Sequence, residues 1–185
     1  MKTELPLQRE PFATGAGVPP SVGRVGFPAP PLFVLQPLLR RLVRHVAACE
    51  PDLFSRLGTS AGKRFLIDPV NLPFVLLLEP DPAAPRLTAH RRTTLPAHDA
   101  AIAGSFLHLF DMVDGALDGD ALFFSRDLQV SGDTEAVVAL RNALDDIDGS
   151  ILDSGAAAFG PLSPAVNFGV ALMRALSRRT RHGAV

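Results

Sequence analysis

Ser105, His108 and Asp111 stand three residues apart and carry the residue types of a hydrolytic triad. On a helix that spacing puts them on one face. A serine hydrolase needs more: a sharp turn that presents the serine and backbone N–H groups that hold the oxyanion. Neither is legible around Ser105, and neighbours on one helix seldom reach one substrate atom in the needed order. The three therefore read as a polar helix face. Asp111, Asp114, Asp118 and Asp120 invite a calcium site. Their spacing departs from the EF-hand loop and no glutamate closes it, so they read as a solvated, helix-ending turn. His45, His90, His98, His108 and His182 show no paired ligand spacing on a common element. A single cysteine, Cys49, excludes an intrachain disulfide and a paired-cysteine zinc site. Following an apolar run, it reads as a buried or half-buried inert thiol. The chain is thus expected to be no enzyme, with no metal and no cofactor of its own. Arg126, beside Phe123 and Phe124 and ahead of a strand, is suited to hydrogen-bonding an anionic or polar head group. Pairing with one of the nearby acids is the alternative.

The elements that would position these residues follow from periodicity. Residues 1–31 are rich in proline and glycine and read as a flexible arm. The first ten residues carry acids and lack an apolar stretch, so no signal peptide is expected. Leu35, Leu38, Leu39, Leu42, Val43 and Val46 form one helical stripe, with Arg40, Arg41 and Arg44 on the other side. A short helical turn is expected at 52–57, ended by Gly58. Strands are expected at 64–67, 74–78 and 86–90, separated by proline-containing loops. The second of these is apolar at every position, so both its faces must be covered, one by helices and the other by protein or a bound lipid. A helix is expected over 97–113, then a strand through Leu128 and Val130. Gly132 turns the chain, and Asp133 caps a helix carrying Val137, Leu140, Leu144 and Ile147. After a link at 149–163, a last helix over 164–181 sets Val166, Gly169, Val170, Met173 and Leu176 against Arg174, Arg178, Arg179 and Arg181.

Charge is nearly balanced, 18 basic against 19 acidic residues, which argues against a nucleic-acid partner. Its distribution is uneven: residues 96–155 hold twelve acids and two arginines, and the residues after 155 hold four arginines and no acid. The last helix is therefore a candidate for contact with an anionic membrane surface through Arg174, Arg178, Arg179 and Arg181. Simple coverage of the sheet is the alternative. The only uncharged run long enough to span a bilayer, 154–173, contains Pro161, Pro164, Asn167 and three glycines and is not read as a membrane helix. A cytoplasmic protein, peripheral to the inner membrane, is expected.

The run Asp120-Ala121-Leu122-Phe123-Phe124-Ser125-Arg126, then Leu128-Gln129-Val130-Ser131-Gly132-Asp133-Thr134-Glu135, then Leu140-Arg141-Asn142-Ala143-Leu144-Asp145 resembles the lipid-binding domain of sterol carrier proteins, and within that family the UbiT branch. Asp127 stands where that branch usually shows a second basic residue. The resemblance implies an α+β fold, a five-stranded, mainly antiparallel sheet packed with helices around a hydrophobic tunnel, occupying residues 32–150, with 151–185 as linker and basic tail. It implies a non-catalytic accessory factor of oxygen-independent ubiquinone biosynthesis. Such a factor binds prenylated quinone intermediates and works with the hydroxylase components UbiU and UbiV, to which the cofactor chemistry would belong. A scaffold subunit and a general phospholipid carrier are the alternatives. The candidates for the tunnel lining are Phe74, Leu76, Leu78, Phe106, Leu109, Phe110, Phe123, Phe124, Leu128, Val137, Leu140 and Leu144, with Arg126 at the head group.

Overall fold

A computed structural model of the chain describes residues 31–114, 128–146, 156 and 159–182. Helix α1 (Leu32–Cys49) comes first, then a 3-10 segment (Ser55–Gly62) broken at Gly58, whose φ is positive. Strands β1 (Phe65–Pro69), β2 (Phe74–Glu79), β3 (Arg86–Arg91) and β4 (Ala100–Gly104) follow, then α2 (Phe106–Asp114). Strand β5 (Leu128–Gly132), α3 (Thr134–Asp145), a 3-10 turn at Gly160–Leu162 and α4 (Ser163–His182) complete the described elements.

The five strands form one sheet in the order β3-β2-β1-β4-β5. The β1–β2, β2–β3 and β4–β5 pairs are antiparallel and only β1–β4 is parallel. The expected α+β fold with a mainly antiparallel five-stranded sheet is what the chain adopts.

One strand was not expected. Residues 100–104 pair with β1 and β5 in the interior of the sheet, where the residue pattern predicts a helix over 97–113. Alanine favours helix, and Ile102 sits in helical phase with Phe106, so local pattern pointed the wrong way. Tertiary pairing overrides it: Ala100 and Ile102 are buried, and small side chains let the neighbouring layers approach closely. The helix begins only after Ser105, whose hydroxyl receives the backbone N–H of His108 at 3.3 Å. The Asn71 side chain accepts the N–H of Phe106 at 2.8 Å, tying the β1–β2 loop to the same helix start. Two N–H groups that would otherwise lack partners are thereby satisfied.

The main core lies on one sheet face. Phe65, Ala100, Ile102 and Leu128 meet Val43 and Val46 of α1, Leu53, Phe54 and Leu57, Leu109 and Met112 of α2, and Val137, Leu140 and Ala143 of α3. Leu66, Val75 and Ala101 form a separate cluster on the other face. Helix α1 runs along the edge strand β3, where Gln36 donates to the Ala89 carbonyl at 2.7 Å and so occupies an edge acceptor. Cys49 is exposed rather than buried: it lies beyond Val46, where α1 turns off its core-facing stripe.

Candidate lipid-binding face

Strand β2 reads Phe74-Val75-Leu76-Leu77-Leu78, and successive side chains point to opposite faces. The register sets Leu76 beside Ile67 and Ala89, and Leu78 beside Phe65 and Leu87. Phe74, Leu76 and Leu78 therefore belong to the helix-covered face. All three are only half-buried, as are Ile67, Leu87 and Val130 on that face. On the opposite face Val75 is 0% exposed and Leu77 7%. On the helix-covered face itself Phe65 and Ile102, nearer the centre of the sheet, are fully enclosed. Along β2 and β3, then, that face carries a strip of apolar side chains that keep partial solvent access. Half-buried Leu42 of α1, Val113 of α2 and Leu144 of α3 pack against the same core.

The candidate lining residues divide accordingly. Leu109, Phe110, Leu128, Val137 and Leu140 are buried, while Phe74, Leu76, Leu78, Phe106 and Leu144 keep partial access. The Phe106 and Phe110 rings lie 6.3 Å apart in a tilted arrangement. Phe123, Phe124 and Arg126 lie outside the described residues, as do Asp118 and Asp120. Ile67, Leu87 and Val130 were missing from the sequence-derived lining. Their signal is the strand register, which cannot be read until the partners of β2 and β5 are known.

The acids at the end of α2 were expected to be solvated, and they are not. Asp111 and Asp114 are buried. The reason for Asp114 is Arg174 of α4, whose Nε and Nη2 donate to its two carboxylate oxygens at 2.8 and 2.6 Å. Arg174 was expected on the outward face with the other arginines; the structure turns it inward onto α2. Arg178 is exposed, and the side chains of Arg179 and Arg181 lie outside the described residues. Phe168, Leu172 and Leu176 point outward. The helical periodicity groups Leu176 with Val166, Gly169, Val170 and Met173, but only those four are half-buried. The Ser105 hydroxyl serves as a helix cap, so of the three residues that read as one polar helix face only His108 and Asp111 lie on α2. Among the described residues no cluster of three His, Cys, Asp or Glu side chains is placed to hold a metal.

The Gly132-Asp133-Thr134-Glu135 run has a structural role. Gly132 has φ +77°, and a side chain there would meet the Asp99 carbonyl oxygen at 2.4 Å. That same oxygen accepts the N–H of Asp133 at 3.0 Å. Asp133 then caps α3, accepting from the Ala136 N–H at 3.0 Å, and pairs with Lys63 at 3.1 Å. The Ala136 N–H first, and Lys63 second, hold the Asp133 carboxyl below its ordinary value. Across the sheet Asp99 accepts the Arg64 N–H at 2.8 Å, so the motif joins the start of β1, the start of β4 and the end of β5.

A mixed five-stranded sheet with helices packed over its main core face defines an α+β domain. The chain belongs to the SCP-2 sterol transfer family, whose model matches residues 44–145, and the matched unit is a lipid-binding domain of that family. Among solved structures it is similar to a protein described as "UbiJ-SCP2 Ubiquinone synthesis protein", at 18% identity over 62% of this chain and 88% of that one, with a TM-score of 0.44. It is also similar to the apo form of Sterol Carrier Protein 2 from Yarrowia lipolytica, at 13% identity over 60% and 87% of the two chains, with a TM-score of 0.42. No curated protein sequence matches. No described helix is long and apolar enough to cross a membrane.

Proposed function

We propose that this chain is a non-catalytic lipid-binding accessory factor of oxygen-independent ubiquinone biosynthesis, which holds a prenylated quinone precursor and presents it to hydroxylase partners of the UbiU and UbiV kind. The supporting observation is the incomplete cover of Phe74, Leu76 and Leu78 on the helix side of β2. Burying a methylene is worth roughly 0.8 kcal/mol, so a five-carbon isoprenoid unit is worth about 3–4 kcal/mol. A few units make escape from a bilayer into water prohibitive. An apolar strip under helices offers the tail a second apolar surrounding, and exchange then costs little. The choice of quinone precursor and of hydroxylase partners rests on the resemblance of residues 120–145 to the UbiT branch.

Loading would take place at a membrane. Helix α4 supports this with outward Phe168, Leu172 and Leu176 ahead of exposed Arg178, an apolar stripe followed by positive charge. Flotation with anionic vesicles should fall when Phe168 and Leu172 are both changed to serine.

The deciding experiment is native mass spectrometry of the protein extracted gently from its source cells. A prenylated quinone precursor is the expected occupant. Mixed phospholipids would make it a general carrier, and an empty protein would make it a scaffold; either result overturns the proposal.

A further inference from the structure

At the outer edge of the sheet, α1, β3 and the end of β2 enclose a cleft of about 250 Å³ lined by Arg40, Arg44, Glu79, Pro85, Arg86 and Thr88. At about 30 Å³ per water it has room for about eight waters. Arg40 and Arg44 are one helical turn apart on α1, and Arg86 stands opposite Glu79 in the β2–β3 register. The edge packing of α1 on β3, fixed by Gln36 and Ala89, brings the two arginine sources together.

We infer that this cleft is a binding site for a phosphate-bearing anion. Three guanidinium groups face one carboxylate, which leaves a net charge of +2 on the lining. Arg40, Arg44 and Arg86 make no hydrogen bond or ion pair among the described residues, so their donors are uncommitted. Neither α1 nor β3 contains an acid. Three positive charges against one negative leave a net repulsion, and an anion seated between the arginines reduces it. Guanidinium groups match phosphate oxygens in paired, parallel hydrogen bonds. The Thr88 hydroxyl, 2.9 Å from His90 Nε2, adds a polar group to the wall. The space beyond a bare phosphate would hold the alcohol that it esterifies. The site lies at the sheet edge and stands independently of the cargo proposed for the apolar face.

The test uses the full chain in inorganic phosphate and in chloride at matched ionic strength. Phosphate should raise the Tm of the wild type, and the rise should be lost in R86Q and in the R40Q/R44Q double variant. It should persist in R91Q, which removes an exposed arginine at the far end of the same strand. Circular dichroism checks that each variant is folded. A second arm floats the proteins with phosphatidylcholine vesicles with and without phosphatidylglycerol. Flotation with the anionic vesicles that is weaker in R40Q/R44Q than in the wild type assigns the site to a lipid head group; a phosphate response with equal flotation of the two proteins assigns it to a soluble phosphate. An equal phosphate response in wild type, R86Q and R40Q/R44Q overturns the inference. Loss of the phosphate response with unchanged cargo in the mass spectrum leaves the lipid-cargo reading intact, and the converse result separates the two in the other direction.

Discussion

Arg174 and Asp114 form a two-pronged ion pair that joins the C-terminal helix to the end of α2, with the Asp114 side chain only 4% exposed. Breaking such a pair from one side removes the guanidinium that compensates a carboxylate in a poorly solvated place, a loss that typically costs about 3–5 kcal/mol. R174M is therefore expected to release α4 from α2 while the sheet stays folded. Hydrogen exchange across 163–182 should rise sharply, and exchange in β1 and β4 should stay as in the wild type. An exchange pattern unchanged from the wild type, with α4 still protected, would count against this arrangement.

Gly132 approaches the Asp99 carbonyl too closely for any side chain, and its φ of +77° is unfavourable for other residues. G132A should lower stability by about 1–3 kcal/mol. The measurement is the urea midpoint at an unchanged m-value.

Asp133 is held ionised by the Ala136 N–H and by Lys63, and its folded value lies below its unfolded one. Its contribution is complete above the unfolded value and is lost as pH falls through the folded value. D133N retains a capping side chain and loses the charge. It should be less stable than the wild type at neutral pH, and the gap should close in acid. A gap that widened on acidification would reverse the assigned sign.

Adjacent positions of β2 should respond in opposite ways. Val75 is fully enclosed, so V75A should cost about 2–3 kcal/mol through lost burial and the void left behind. Leu76 faces the partly uncovered strip, so L76W has room to enter it. That variant should keep a Tm close to the wild type and lose lipid from the native mass spectrum. Retention of the full lipid complement would place the cargo elsewhere.

Much of this molecule is written in local pattern. The stripe of α1 apart from exposed Leu38, four of the five strands, Gly132 and the Asp133 cap are visible because each depends on residues a few positions apart. The fully apolar β2 also announced that both its faces would be covered, though nothing local says which face is left ajar. Other features depend on partners far along the chain. Ala100–Gly104 is a strand because β1 and β5 flank it, and its alanines on their own favour a helix. Asp114 is buried because an arginine sixty positions later reaches it. The arginine cleft exists because α1 lies against the edge of β3, bringing Arg40 and Arg44 to Arg86. Residue type and short spacing determined the elements and their polarity; which charges meet, and which apolar side chains stay accessible, was decided only when packing joined distant segments, because burial and ion pairing are properties of neighbours in space.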